Sequence, residues 1–160
     1  MKNHFKKFSL PQTFHLNLTT LEQTYFALQK LSHPDASSLA KVEEIENSIA
    51  INEAYEILRN PLKRAAHILQ LNNIDVEKDG DALRPDLATL EEVLEIQEQI
   101  PNLNAEEILA LKKTLQTTTK SILENIAEKL DSKDFTSAAQ LLIKAKYFDK
   151  ILRGLKESNK

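Results

Sequence analysis

The apolar residues near the C-terminus recur every three or four positions, the spacing that lines up side chains on one face of an α-helix. From position 138 to position 155 the spacing is 3-4-3-4-3, formed by Ala138, Leu141, Ala145, Phe148, Leu152 and Leu155. A half-buried β-strand would instead place apolar residues at every second position. The pattern therefore predicts a long helix that buries one face against other elements.

A similar periodicity covers much of the remaining chain, over residues 40–59, 62–71, 85–100 and 104–130. Only two of the 160 residues are glycine, which tight β-hairpin turns usually require. Helices need only caps and short polar loops. We therefore predict an all-α fold.

The periodicity lapses between Asn72 and Pro85, where Asp79-Gly80-Asp81 is a typical turn sequence. This lapse indicates a domain boundary. We predict an N-terminal helical hairpin unit over residues 1–72, a linker over 73–84 and a C-terminal three-helix bundle over 85–160.

Two residue pairs have the spacing of a capping box, in which both side chains bind free backbone amides at a helix start. Thr19 with Glu22 predicts the start of the first helix of the hairpin, and Asn104 with Glu107 predicts a later start. Pro34 ends the first helix, because its ring disfavours helical geometry in the residue before it.

Both helices of the hairpin carry an apolar stripe. In the first helix it consists of Leu21, Tyr25 and Leu28. The return helix is predicted to bury one face formed by Ile51, Ala54, Tyr55 and Leu58, extended upstream by Val42, Ile45 and Ile49.

Composition argues against several kinds of chemistry. The chain has no cysteine, which removes disulfides and thiolate ligands, and its net charge of −3 is too small to indicate a nucleic-acid partner. The four histidines lack metal-binding spacing, and no glycine-rich phosphate loop or membrane-length apolar run is present. We expect a cytoplasmic protein that is not an enzyme and has no catalytic residues, metal site or cofactor. We also expect it to bind neither nucleic acid nor membrane.

His33-Pro34-Asp35 lies in the turn between the two helices of the predicted hairpin. Proline fixes a backbone dihedral angle and removes a donor, so its neighbours are presented rigidly. By itself the tripeptide is explained as well by a helix-ending turn. The return helix, however, carries Ile51-Asn52-Glu53-Ala54-Tyr55-Glu56-Ile57-Leu58, followed by Asn60-Pro61 and Arg64. Together these segments resemble the J-domain, whose His-Pro-Asp loop contacts a DnaK-type chaperone and stimulates its ATP hydrolysis.

The resemblance extends over nearly the whole chain, to the HscB type of iron–sulfur co-chaperone. The segments that carry it are His4-Phe5-Lys6-Lys7-Phe8-Ser9-Leu10-Pro11, Phe14-His15-Leu16-Asn17, Leu58-Arg59-Asn60-Pro61-Leu62-Lys63-Arg64-Ala65, Leu94-Glu95-Ile96-Gln97-Glu98 and Lys146-Tyr147-Phe148-Asp149-Lys150-Ile151. The resemblance implies a J-domain over residues 1–72, joined to a bundle that binds an iron–sulfur scaffold protein of the IscU type. The J-domain would deliver this scaffold to an HscA or DnaK-type chaperone.

Carried over by motif, the resemblance implies that His33, Pro34 and Asp35 contact the chaperone. It also implies a scaffold-binding face formed by Leu90, Leu94, Glu95, Glu98 and Tyr147. Periodicity alone explains Leu90 and Leu94 equally well as bundle core, because it does not distinguish an inner from an outer stripe on a short helix.

The chain departs from the family pattern at several positions. Ser32 replaces a usual aromatic residue, Ala36 a usual lysine, and Glu91 a usually apolar residue, while Lys30 is the only base of the helix before the loop. Because charge steering mainly affects association rate, the departures in and before the loop predict a weaker or more specialised chaperone contact. The departure at Glu91 concerns one edge of the scaffold-binding face instead. Two alternatives remain open, a J-domain co-chaperone with a different client and a helical adaptor without a chaperone role.

Overall fold

The computed structural model describes residues 2–32, 41–76 and 84–157, and the described residues contain helices and no strand. The all-α prediction is confirmed. The chain divides into two compact units, Met1–Leu71 and Asn72–Lys160.

The described residues of the N-terminal unit form four helices, α1 (His4–Lys7), α2 (Leu18–Leu31), α3 (Lys41–Arg59) and α4 (Pro61–Leu71). The central element is α3, which contacts α1, α2 and α4. The hairpin of α2 and α3 is antiparallel, since Ser32 at the end of α2 bonds to Asn47 early in α3. Tyr25, earlier in α2, bonds to Asn52, which lies further along α3.

Helix α2 begins two residues earlier than the capping pattern predicts. The side chain of Asn17 accepts a hydrogen bond of 3.0 Å from the backbone amide of Thr20, and Leu18 is the first helical residue. The predicted start at Thr19 and Glu22 is wrong, because Asn17 already satisfies the free amide and leaves Thr19 inside the first turn.

Arg64 of α4 is buried and ties three segments of the N-terminal unit together. Its Nε donates to the carbonyl oxygen of Phe14 at 2.8 Å, and its Nη1 donates to that of Leu58 at 2.7 Å. The guanidinium also lies over the Phe14 ring, 4.9 Å from its centroid. Burial lowers the pKa of Arg64 from its ordinary value, and the hydrogen bonds to carbonyl oxygens partly replace the lost water.

Two buried histidines join α1 to α4. The backbone amide of His4 donates to Nε2 of His67 at 3.1 Å, and the two rings lie 4.5 Å apart. Burial is the main cause that lowers the pKa of each imidazole, and the charges of Lys2 and Lys7 lower that of His4 further while Glu53 opposes the change. Nε2 of His67 accepts a hydrogen bond, so the geometry requires it to be unprotonated.

The C-terminal unit contains α5 (Leu87–Gln99), a 3₁₀ turn (Ile100–Asn102), α6 (Ala105–Asp131) and α7 (Phe135–Glu157). Helix α7 contacts both α5 and α6, which forms the predicted three-helix bundle. The capping box at the start of α6 is confirmed, because Asn104 and Glu107 each bind the other's backbone amide, at 2.9 and 3.2 Å.

The core of the bundle is apolar and is centred on α7. The predicted stripe is largely buried, except that Leu141 is half-buried and its neighbour Leu142 is completely buried instead. Fully enclosed residues of α6 and α7 include Ile126, Leu142 and Phe148. This packing holds α7 in place, and α5 packs against it.

Candidate functional site

The predicted chaperone-binding residues His33, Pro34 and Asp35 lie outside the described residues, as does Ala36. The helices on either side of them are described. Helix α2 ends at Leu31 with Ser32 as its C-cap, and α3 is described from Lys41. Lys30 is exposed at the end of α2.

Polar side chains hold α2 against α3 at the end of the hairpin that carries the loop. Oδ1 of Asn52 accepts hydrogen bonds from the hydroxyl of Tyr25 at 2.6 Å and from Nε2 of Gln29 at 2.7 Å. Gln29 in turn accepts a bond of 2.9 Å from the hydroxyl of Ser48. The Tyr25 ring also stacks on Tyr55, with centroids 4.0 Å apart.

Ser32 is the last member of this row of polar contacts. We call the row the polar seam, and it consists of Tyr25, Gln29, Ser32, Asn47, Ser48 and Asn52. It is buried, and its hydroxyl accepts a hydrogen bond of 2.8 Å from Nδ2 of Asn47. The serine that stands in place of the usual aromatic residue therefore has a hydrogen-bond partner in α3. It links α2 to α3 immediately before the segment that contains His33.

The predicted extension of the buried face of α3 is wrong. Val42, Ile45 and Ile49 are exposed, although Ile51, Ala54 and Leu58 are buried as predicted and Tyr55 is half-buried. The reason is helical geometry, because Ile45 and Ile49 precede the buried Ala54 and Leu58 by nine residues, which is about two and a half turns. They therefore lie on the opposite side of α3.

The second candidate surface is a groove between α5 and α7. Helix α5 begins where Asp86 accepts a hydrogen bond of 2.8 Å from the backbone amide of Thr89. Hydrogen bonds from Thr89 lower the pKa of the Asp86 carboxyl, which keeps the cap ionised. Thr89 and Val93 are buried and seat α5.

Because Val93 faces the core, the nearby Leu90 and Leu94 lie outside it. Leu90 is 37% exposed and Leu94 is 56% exposed, whereas Val93 is 5% exposed. Sequence periodicity left open whether these leucines belong to the core. They form the outer stripe of α5.

Across the groove, Tyr147 of α7 is 37% exposed. Lys144 of α7 forms an ion pair of 3.4 Å with Glu92 of α5, which links the two helices at their surface. The groove has a volume of about 520 Å³ and is lined by Leu90, Val93, Leu94, Gln97, Ile100, Tyr147, Lys150, Ile151, Gly154 and Leu155.

The structure thus brings together three of the five predicted scaffold-binding residues. Leu90, Leu94 and Tyr147 line the groove, while Glu95 and Glu98 are exposed on α5 outside its lining. Glu91, which occupies a position where an apolar residue was expected, is also exposed and outside the lining.

Sequence reasoning did not identify the far end of this groove, formed by Gln97, Ile100, Lys150, Ile151, Gly154 and Leu155. Two signals were available. The spacing Leu94, Gln97, Ile100 continues the outer stripe by steps of three, and Gly154 interrupts a helical pattern, which usually has a packing or functional reason.

Neither a cluster of metal ligands nor a membrane-spanning helix occurs among the described residues. Within residues 2–32, 41–76 and 84–157 no group of three or more histidine, cysteine, aspartate or glutamate side chains could hold a metal ion. No helix in the same ranges is long and apolar enough to cross a membrane.

Comparison with known proteins gives consistent matches. A family profile described as the HSCB C-terminal oligomerisation domain matches residues 85–156. The co-chaperone protein HscB homolog of Haemophilus ducreyi is 31% identical over 160 residues, covering 95% of this chain and 92% of that protein. The iron–sulfur cluster co-chaperone protein HscB of Mus musculus is 29% identical and covers 98% of this chain and 69% of that protein.

Solved structures of HscB proteins match nearly the whole length of this chain. The chaperone HscB from Vibrio cholerae has a TM-score of 0.84 and 26% identity, with coverage of 99% of this chain and 98% of that chain. The human co-chaperone protein HscB has a TM-score of 0.90, with 99% and 83% coverage, and at 24% identity it supports the fold alone.

Proposed function

The chain belongs to the HscB family of co-chaperones, and on this premise we propose that it acts by coupling two binding events. The C-terminal bundle binds an iron–sulfur scaffold protein of the IscU type. The N-terminal J-domain, predicted over residues 1–72, engages an HscA or DnaK-type chaperone and stimulates its ATP hydrolysis. Closure of the chaperone on the scaffold then promotes cluster transfer.

The groove between α5 and α7 is the observation that carries the scaffold half of this proposal. It presents Leu90, Leu94 and Tyr147 to solvent in one concave surface. Apolar anchors that enter a pocket contribute most of the affinity at protein interfaces, and a charged rim adds selectivity. Glu95 and Glu98 lie on the exposed side of α5 and would supply that rim.

The chaperone half is supported by sequence and by family. In the sequence, His33, Pro34 and Asp35 lie between α2 and α3, and the polar seam joins the two helices at that end. We propose these three residues as the chaperone contact. A loop whose two flanking helices are fixed to each other loses less conformational freedom on binding.

We further propose that the protein is cytoplasmic and performs no catalysis of its own. The absence of cysteine means that its own thiolates cannot hold the cluster. The cluster would remain a cargo of the scaffold, and this chain would need no cofactor.

The scaffold half is tested by the affinity of the purified protein for the scaffold, measured by isothermal titration calorimetry. Leu94→Ala is expected to weaken binding about tenfold or more, as for an apolar anchor at an interface. Leu109→Ala, on α6, is the matched control, because Leu109 is 54% exposed and Leu94 is 56% exposed. Equal affinity of the two variants would contradict the groove as the binding site.

The chaperone half is tested by single-turnover ATP hydrolysis by the chaperone with the scaffold present. His33→Gln is expected to abolish the stimulation, whereas His15→Gln, at an exposed histidine of the same unit, should leave it intact. If the native protein stimulates neither an HscA nor a DnaK-type chaperone, it acts as a helical adaptor. Stimulation without scaffold binding would instead indicate a different client.

A further inference from the structure

Gly154 is an unusual residue for its position. It lies within α7, three residues before the end of the helix at Glu157. Glycine destabilises a helix relative to alanine, because it loses more backbone freedom on folding and buries no side chain. Such a residue requires a reason in the surrounding structure.

The fold itself does not supply this reason. A Cβ atom added to Gly154 would meet no heavy atom within 4 Å. The described glycine also has no positive φ angle, so its backbone is open to any residue. An alanine would therefore fit here without a clash or a strained conformation.

The missing side chain faces the groove. Gly154 lines it between Ile151 and Leu155 on the α7 side, with Ile100 in the lining as well. This end of the groove lies beyond the patch formed by Leu90, Leu94 and Tyr147. Any side chain at position 154 would enter space that is now open.

We propose that Gly154 keeps the far end of the groove open for a large apolar side chain of the scaffold protein, and so determines which partners fit. This inference rests on the proposed function, because it assigns a role to a residue of the same groove. It extends the binding surface along α7 to a position that contributes space instead of contacts.

The charges around the groove define the rest of the partner's chemistry. Helix α5 carries Glu91, Glu92, Glu95 and Glu98 and no lysine or arginine. Among the described residues, only Glu92 of these four is in an ion pair, with Lys144. The partner segment should therefore combine an apolar side chain for the far end with basic residues that face α5.

The test compares Gly154→Ala and Gly154→Leu with the native full-length protein. Calorimetry gives the affinity for the purified scaffold, and circular dichroism gives the midpoint of thermal unfolding. We expect affinity to fall with side-chain size, within about threefold for alanine and by about tenfold or more for leucine. The unfolding midpoint should rise by a few degrees, about 3 °C, for alanine and should not fall for leucine.

Gln116→Leu is the matched control, because it also places a leucine at an exposed helical position, on α6 and outside the groove. It should bind the scaffold with native affinity. Weak binding by Gln116→Leu, or native affinity of Gly154→Leu alongside impaired Leu94→Ala, would overturn the role of Gly154. If the native protein itself does not bind the scaffold, the proposed function fails, which is a separate outcome.

Discussion

Four polar or charged side chains are buried among the described residues of the N-terminal unit, His4, Ser32, Arg64 and His67, whereas Thr89 alone is buried in the described part of the C-terminal unit. In the first unit the side chains of Ser32, Arg64 and His67 form hydrogen bonds with residues 15 or more positions away in the chain. The partner of His67 is the backbone amide of His4. The core of the bundle consists almost entirely of aliphatic residues and phenylalanine. Both units therefore have an apolar core, and the N-terminal unit adds directional hydrogen bonds of buried polar groups to it.

The contrast has consequences for how each unit responds to change. Hydrogen bonds to buried groups are directional, and leaving one partner unsatisfied costs more than the bond contributes when intact. Apolar packing is not directional and depends on filled volume. The N-terminal unit should therefore be sensitive to the identity and protonation of a few side chains, and the bundle to side-chain volume.

The largest expected effect is the loss of volume in the bundle core. Leu142 is completely buried, and Leu142→Ala should lower the free energy of unfolding of the bundle by about 4 kcal/mol. The measurement is hydrogen exchange of amides in α6 and α7. Leu109→Ala, at an exposed position of α6, should change it by less than about 0.5 kcal/mol. Similar values for the two variants would mean that packing does not dominate this unit.

The N-terminal counterpart is Arg64→Met, which keeps much of the side-chain volume but removes both hydrogen bonds. It leaves the carbonyl oxygens of Phe14 and Leu58 without these donors, and should lower the stability of the unit by about 3 kcal/mol. Urea unfolding followed by NMR signals of the N-terminal unit measures the change. Arg59→Met is the control, since Arg59 is exposed and its ion pair with Glu56 contributes little. A small loss of stability in Arg64→Met would mean that buried hydrogen bonds do not distinguish the N-terminal unit from the bundle.

The helices themselves could be predicted because one periodicity determines them. The stripe of α7 and the capping box at Asn104 and Glu107 are local signals, and the structure follows both. The predicted start of α2 is two residues too late, because two possible capping residues, Asn17 and Thr19, lie within three positions and Asn17 is the one that caps the helix.

Contacts between distant residues could not be predicted from local patterns. Periodicity does not show which polar side chains of α3 pair with α2, and the hydrogen bonds of Ser48 and Asn52 with Gln29 appear only in the structure. For the candidate site, Leu90, Leu94 and Tyr147 were named from a family resemblance, and the structure places them in one groove. The role proposed for Gly154 depends on the open space beside it, which no sequence pattern gives.

A smaller expected effect is a difference between the two units in how their stability depends on pH. The pKa values of His4 and His67 are lowered by burial from 6.5, so below that value the unfolded chain binds protons that the folded unit does not. The stability of the N-terminal unit should therefore decrease as the pH falls from about 7.5 to about 5.5, and be constant above this window. All four histidines lie at or before position 67, so the bundle should be nearly unaffected over the same range.

Urea unfolding at several pH values, with NMR signals assigned to each unit, tests this difference within one sample. His67→Phe should reduce the pH dependence of the N-terminal unit, because it removes the imidazole that accepts from the His4 amide. An equal pH dependence of both units would contradict the assignment to this pair. So would an unchanged dependence in His67→Phe.

The smallest expected effect concerns the turn between α6 and α7, where backbone conformation matters more than any side-chain contact. Lys133 has a φ angle of 60°, in the left-handed region that glycine adopts without strain, and its amide donates to the carbonyl oxygen of Leu130 at 3.1 Å. Lys133→Gly should therefore raise the stability of the bundle by about 0.5 to 1 kcal/mol, measured by urea unfolding of the bundle signals. Ser132→Gly is the control, since Ser132 has a φ angle of −83° and should gain nothing. A stabilisation of similar size at both positions would indicate a general effect of flexibility in the turn. A stabilisation confined to position 133 would show that, besides apolar volume, the bundle has one local backbone strain that a single substitution relieves.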